Sequence, residues 1–136
     1  NIRIWQESSI YEGIQMSAGK YNIDIEQGAD FNLNLAYKDN AGTVMNLNGY
    51  TARMKIKDSP VGSVIASTES SDSPLNTLTP TTSNGSSGTN IAIAMTATNT
   101  ANLDFEDAVY DLELVTGSNV DRVIEGKVRL SKEITK

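Results

Sequence analysis

Apolar and polar residues alternate along most of the chain from Tyr21 onward, with the period of two that is typical of strands with one buried face. The clearest run carries four inward apolar positions: Phe31, Leu33, Leu35 and Tyr37. Similar alternation predicts further strands, at 21–26, 51–57, 91–95, 109–115 and 123–130. Because Gly-Ser-Asn at 117–119 joins the last two, we expect them to pair as an antiparallel hairpin.

The segments between these runs predict turns, one helix and one long loop. Asp-Asn-Ala-Gly at 39–42 favours a tight turn into a short return strand at 44–47. Thr96–Leu103 predicts a short helix capped by a threonine. Residues 67–89 are rich in Ser, Thr, Asn, Gly and Pro and predict a flexible loop.

Short strands with regular turns and no βαβ pattern predict an all-β fold. We expect an antiparallel immunoglobulin-like β-sandwich with one short helix. A closed barrel is the alternative, because periodicity does not decide how a sheet closes. The sandwich domain is expected at 21–136, with its flexible loop at about 67–89, after an N-terminal arm at 1–20.

The arm is poorly patterned but carries three apolar residues, Ile2, Ile4 and Trp5. A large aromatic in such a segment is suited to anchoring a neighbouring subunit. Docking on its own domain is the equally weighted alternative. We therefore take Ile2, Ile4 and Trp5 as candidate assembly contacts.

Charge and composition restrict the partners. The chain has 17 acidic and 11 basic residues, for a net charge of −6, so its long-range field repels a phosphate backbone and we expect no nucleic-acid partner. No apolar run approaches the roughly 20 residues that span a bilayer, so we expect no membrane partner. Cysteine is absent, which excludes disulfides and thiolate metal sites.

The sequence offers little catalytic chemistry. Histidine is absent, which removes the side chain best suited to proton transfer near neutral pH. Glu106 with Asp107, or Asp104 with Glu106, would pair for acid–base work only in a desolvating cleft, and we expect a solvated loop instead. Asp39–Gly42 lacks the later ligands of a calcium loop, and the serines and threonines of 67–89 lack a histidine base. We therefore expect no enzyme, no cofactor and no metal site.

Two further features concern the fold. Tyr50 follows the turn residue Gly49, and in Greek-key sandwiches a tyrosine so placed bonds its hydroxyl to nearby backbone. We expect Gly49 and Tyr50 to form a fold-stabilising turn, with plain core packing of Tyr50 as the alternative. The cationic face of 51–57 is expected to be solvated or to meet an acidic neighbour.

The ordered combination of segments resembles the N-terminal-type domain of upper-baseplate proteins, a family of small structural proteins of tailed bacteriophages. The segments that carry the resemblance are 31–42, 47–56, 91–96, 100–103, 108–114 and 123–130. Members of that family are β-sandwich modules of the virion, with no known catalytic residues to carry over. The 136 residues hold one such module without a fibre-like extension, so the resemblance implies an assembly or adaptor module.

The resulting functional hypothesis is a structural component of a tailed bacteriophage virion, in the tail, baseplate or neck. Its expected partners are copies of itself and other phage virion proteins, so an oligomer is expected in the particle, which is assembled in the host cytoplasm. The alternative is a carbohydrate-binding or host-attachment module. That alternative needs two or three aromatic side chains clustered on one exposed face.

Overall fold

A computed structural model describes residues 2–5, 10–11, 19–39, 41–69 and 76–134, with the backbone alone at 2–5 and 10–11. Within these residues the chain forms eleven strands and one helix. The elements in chain order are β1 (Ile2–Trp5), β2 (Ile10–Tyr11), β3 (Gly19–Lys20), β4 (Ile23–Glu26), β5 (Phe31–Asp39), β6 (Thr51–Lys57), β7 (Val64–Ser67), β8 (Thr79–Thr82), β9 (Ile91–Met95), α1 (Ala97–Ala101), β10 (Asp107–Thr116) and β11 (Asn119–Ser131).

The strands form two sheets. The first has the order β2-β1-β5-β9-β8, and the second has the order β3-β11-β10-β6-β7, with β4 also paired to β11. All pairings between these strands are antiparallel except those of β3 and β4, which run parallel to β11. Strands β1, β5, β9 and β8 correspond to A, B, E and D of an immunoglobulin domain, and β6, β10 and β11 to C, F and G. The predicted all-β, immunoglobulin-like sandwich is confirmed.

The predicted alternation supplies the core between the two sheets. Every second residue of β5, β6, β9 and β10 is buried, and the residues between them are exposed or half-buried. The fully buried large side chains are Ile25, Leu35, Leu47, Met54, Ile56, Leu78, Ile91, Ile93, Leu103, Leu112, Leu114 and Ile124. Burial of a side chain of this size is worth about 1.5–3 kcal/mol relative to exposure.

The helix and the terminal hairpin form as predicted. The hydroxyl of Thr96 caps α1 by accepting from the Asn99 backbone N–H at 3.3 Å. Strands β10 and β11 pair from Asp107 opposite Arg129 to Thr116 opposite Asn119, with an irregularity after Leu112.

Two segments differ from the expected pattern. The segment expected as a long loop contains strand β8, which pairs with β9 at the edge of the first sheet. An edge position tolerates Pro80, and only half-burial is needed there, so no large apolar residues mark the strand. The segment expected as an arm contains β1, whose backbone pairs with β5 from Ile2 opposite Asp39 to Trp5 opposite Ala36.

The two predicted turns are present and are held by nearby polar groups. The Asp39 carboxylate accepts from the backbone N–H groups of Ala41 at 2.9 Å and Thr43 at 3.0 Å, and the return segment makes a single bridge between Lys38 and Val44. At the second turn, Gly49 adopts φ +90°, which an L side chain rarely adopts, and the Tyr50 N–H donates to the Leu47 carbonyl.

Among the described residues, the tyrosine whose hydroxyl bonds to backbone is Tyr110. It donates to the Tyr21 carbonyl at 2.6 Å, between the parallel segments β3 and β4. The Asn22 side chain accepts the neighbouring Lys127 N–H at 3.0 Å. Gly126 lies opposite, and a Cβ at that position would stand 2.1 Å from the Tyr21 carbonyl oxygen. A side chain at Gly126 is therefore incompatible with the close passage of residues 21–22 along β11.

Asn90 is a buried polar residue that joins three segments. Its Oδ1 accepts from the Tyr37 N–H at 2.8 Å, and its Nδ2 donates to the carbonyls of Tyr37 at 2.9 Å and Met45 at 2.8 Å. The β5–β9 ladder ends where Leu35 pairs with Ile91. The Asn90 side chain thus forms hydrogen bonds with the β5 backbone at Tyr37, beyond the point where the β9 backbone pairs with β5.

Replacing Asn90 by Ala is expected to lower the free energy of unfolding by about 2 kcal/mol or more, because the Tyr37 N–H and the Met45 carbonyl lose the partner that Asn90 supplies, while the Tyr37 carbonyl keeps the Met45 N–H. Urea unfolding followed by circular dichroism measures the loss. The exposed Asn32 on β5 is the matched control, and its replacement by Ala is expected to change stability by less than about 0.5 kcal/mol. Equal effects of the two substitutions would contradict this role of Asn90.

Replacing Tyr110 by Phe is expected to cost about 1–2 kcal/mol, since the Tyr21 carbonyl loses its donor in a partly buried place. Tyr50→Phe is expected to cost less than about 0.5 kcal/mol, because the described hydrogen bonds of Tyr50 are made by its backbone and a phenyl ring keeps its packing against the core. The two variants are compared by urea unfolding. A larger loss for Tyr50→Phe would restore the hydroxyl role that the sequence predicts for Tyr50.

Candidate interaction surface

The outer face of the second sheet carries charge on nearly every outward position. The same alternation that sends apolar residues of β6, β10 and β11 into the core sends charged residues outward. Nine charged residues of this face line one groove: Lys20, Arg53, Lys55, Lys57, Asp111, Glu113, Arg122, Glu125 and Lys127. The groove has a volume of about 780 Å³ and is also lined by Asn22, Met54, Pro60, Glu69, Val109, Tyr110 and Gly126.

Acidic residues on the central strand of this face have basic residues beside them, and a further acid, Glu125, lies on β11. In one row, Glu113 of β10 stands opposite Arg53 of β6 and opposite Arg122 of β11. In the next row, Asp111 stands opposite Lys55 and Glu125. Opposite charges on directly opposed residues stabilise a sheet by a few tenths of a kcal/mol to about 1 kcal/mol per pair. The acidic neighbour expected for the cationic face of 51–57 is therefore β10.

The ion pairs of the face follow this register. The Arg53 Nε lies 2.7 Å from Glu113 Oε1. Arg122 reaches two carboxylates, with its Nε 3.5 Å from Asp111 Oδ2 and its Nη1 3.4 Å from Glu125 Oε1. Glu125 is also paired with Lys20 on the parallel strand β3. Glu125 thus links the sheet edge to its centre.

The two carboxylates of the second row have opposite pKa shifts. The hydrogen bond from Lys20 holds the pKa of Glu125 below its usual value, and Arg122 adds to this effect. Burial raises the pKa of Asp111, and the neighbouring Glu113 adds to the rise, although Arg122 acts against it. Glu113 in turn raises the pKa of Arg53 through their hydrogen bond.

The third row has two lysines and no acid. Val109 stands opposite Lys57 on one side and opposite Lys127 on the other. In the part of the chain that the structure describes, neither Lys57 nor Lys127 is in an ion pair. With opposed Cα atoms about 5 Å apart, the two lysines flank an apolar floor about 10 Å wide. Such an arrangement suits a carboxylate or another anionic group.

The groove is more positive than the chain that carries it. Its lining includes six basic residues and four acidic residues, a net charge of +2. The chain as a whole carries −6, so the remainder carries −8. The groove therefore concentrates the basic residues of an acidic protein.

The site residues expected from the sequence lie elsewhere. The backbones of Ile2, Ile4 and Trp5 form β1, and their side chains lie outside the described residues. Gly49 and Tyr50 form the turn before β6. These residues do not line the groove, whose residues the sequence analysis did not single out as a site. The sequence feature that could have indicated the groove is the alternation of 51–57 and 109–115, because the two segments carry opposite charges at every second residue.

The carboxylates considered for acid–base work lie on the surface. Glu106 and Asp107 are exposed, and Asp104 pairs with Lys132 at 3.0 Å with most of its side chain in solvent. Among the described residues, every aromatic side chain is buried or half-buried. An exposed aromatic cluster, which the carbohydrate-binding alternative needs, is not found in that part of the chain.

Within the described ranges, no cluster of three or more acidic side chains has the arrangement of a metal site. In those same ranges no helix is long and apolar enough to cross a membrane.

The chain shows a weak structural similarity to known proteins. No family model matches the sequence, and no curated protein matches it. Among solved structures, the chain is similar to the crystal structure of the RIG-5 IG1 homodimer, with 13% identity, 98% of each chain covered and a TM-score of 0.44. The fold assignment rests on the strand order described above.

Asp111→Asn and Glu125→Gln are expected to change the pH dependence of stability in opposite directions. The folded pKa of Asp111 is raised, so its ionisation disfavours folding, and wild type loses stability relative to Asp111→Asn as the pH rises through that pKa. The folded pKa of Glu125 is lowered, so its charge stabilises the fold above the unfolded value of about 4.3, and this advantage over Glu125→Gln is lost as the pH falls through the folded pKa.

Urea unfolding from about pH 3 to pH 8 measures both differences. Each should remain below about 1 kcal/mol, because the face is open to solvent and water screens its charges. Parallel pH profiles for the two variants would contradict the opposite shifts.

Proposed function

We propose that this chain is a structural component of a tailed bacteriophage virion, acting as an assembly or adaptor module and not as an enzyme. The proposal is supported by the positions in the fold of the segments that resemble upper-baseplate proteins. Those at 31–42, 47–56, 91–96, 108–114 and 123–130 lie on or beside β5, β6, β9, β10 and β11. They thus make up the central strands of one β-sandwich, which is the fold that the resemblance implies.

The charged groove supports a role in protein–protein contact. It is broad, it is built on the rigid strands β6, β10 and β11, and it combines paired charges with two lysines outside any described ion pair. Charged surfaces of this kind set the register and specificity of protein contacts more than they set affinity. A module that must dock in one orientation within a particle needs such a surface.

The proposed setting in the tail, baseplate or neck is tested on particles released by cells that encode the chain. The particles are banded on a density gradient, the fractions are blotted with an antibody raised against the purified chain, and the banded particles are labelled with the same antibody on gold. We expect the chain in the particle band and gold at the tail, baseplate or neck. A cytoplasmic host protein blotted in the same fractions is the control for contamination.

Recovery of the chain only in the fractions free of particles would overturn the virion proposal. Gold on the distal tip alone, together with binding of the purified chain to host cell walls, would replace it with the host-attachment alternative.

A further inference from the structure

The helix end of the sandwich is strongly acidic. Here the turn after β4, the segment around α1 and the end of β11 meet, and their hydrogen bonds hold them together. The Gln27 side chain donates to the Leu103 carbonyl at 2.8 Å and accepts from the Glu133 N–H at 2.9 Å. The exposed carboxylates of this end, here called the acidic end, are Glu26, Asp30, Asp104, Glu106 and Glu133.

The acidic end carries little compensating charge. Among the residues described there, these five carboxylates face one lysine, Lys132, which is paired with Asp104, so their summed charge is −4. Asp30 also accepts the Ala97 N–H at 2.8 Å, which holds its carboxylate beside the start of α1. The fold thus fixes the position of the Asp30 carboxylate.

The groove and the acidic end are complementary in charge but lie on different surfaces. The groove has a net charge of +2 and lies on the outer face of the second sheet. A contact between two different patches of identical chains is heterologous, and its repetition generates a ring or an open filament.

We infer that the groove binds the acidic end of a second copy of this chain, with carboxylates of that end seated between Lys57 and Lys127 over Val109. This inference deepens the proposed function, on which it rests, by naming the partner surface. The contact is electrostatic at its centre, so it weakens as salt shortens the Debye length from about 10 Å at 0.1 M to about 3 Å at 1 M.

The first measurement is the mass of the full chain in solution, by light scattering over a range of concentrations. At low salt we expect the mass to rise with concentration above the 14.6 kDa of one chain, and to return towards that value at about 1 M salt. A mass of one chain at every concentration in low salt would overturn the inference.

Neutral substitutions test the groove itself. Lys57→Gln with Lys127→Gln lowers the net charge by two and is expected to shift association to at least tenfold higher concentration. Ser86→Glu with Ser118→Glu lowers the net charge by the same amount at exposed turns outside the groove, and is expected to leave association within about twofold of wild type. Equal weakening by both pairs would overturn the inference, because net charge alone would then explain the loss.

Reversing charges on each surface tests the pairing. Lys57→Glu with Lys127→Glu places acids in the groove, and Glu106→Lys with Glu133→Lys places bases on the acidic end. Each variant alone is expected to stay monomeric at low salt, and an equimolar mixture is expected to associate. Circular dichroism and thermal unfolding check that each variant is folded. Two folded variants that do not associate when mixed would overturn the pairing.

The outcomes separate this inference from the proposed function. A chain that bands with virions but is monomeric at low salt retains its virion role and loses the groove-to-end contact. A chain that associates through the groove but is absent from virions retains the contact and loses the virion role.

Discussion

Each time the chain passes from one sheet to the other, backbone groups leave the hydrogen-bonded ladder and must find other partners, because a buried group without one costs about 1–3 kcal/mol. Three side chains meet this requirement at the crossings. Asn90, directly before the first residue of β9, pairs with the backbone of Tyr37. At the helix end, Gln27 bonds to the Leu103 carbonyl, and the Thr100 hydroxyl donates to Ala29 at 2.8 Å and accepts from Gly28 at 3.0 Å. These three side chains thus supply partners to backbone groups that lie outside the ladders.

The period-two pattern predicts the core and the charged face together. A strand whose even positions are buried must expose its odd positions, so Met54 and Ile56 in the core imply Arg53, Lys55 and Lys57 outside. The choice of neighbouring strand then decides whether those charges stabilise or strain the sheet. Because β10 separates β6 from β11, Glu113 lies between Arg53 and Arg122, although Asp111 has Lys55 on one side and the like-charged Glu125 on the other. If β6 were the direct neighbour of β11, basic residues of the two strands would face each other and destabilise the sheet.

What the sequence predicts well is therefore local, and what it misses is decided by strand neighbours. Strand β5, the cap at Thr96 and the β10–β11 hairpin follow from residues close in sequence. Strand β8 carries no large alternating residues, since an edge strand built around Pro80 needs only a half-buried face. The groove could not be predicted, because no local sequence pattern indicates that β6 lies beside β10. The hydroxyl bond of Tyr110 to Tyr21 likewise joins residues far apart in the chain.

The same charge distribution discriminates between two ways for copies of this chain to meet. A symmetric dimer with groove against groove would bring two surfaces of net charge +2 together and would leave both acidic ends in solvent. Desolvating charges of one sign against each other costs more than leaving them in water. A contact of groove with acidic end places Lys57 and Lys127 against carboxylates and leaves each chain with one further groove or end to offer. The electrostatics of the described surface therefore disfavour a dimer with groove against groove and favour contacts between the groove and the acidic end.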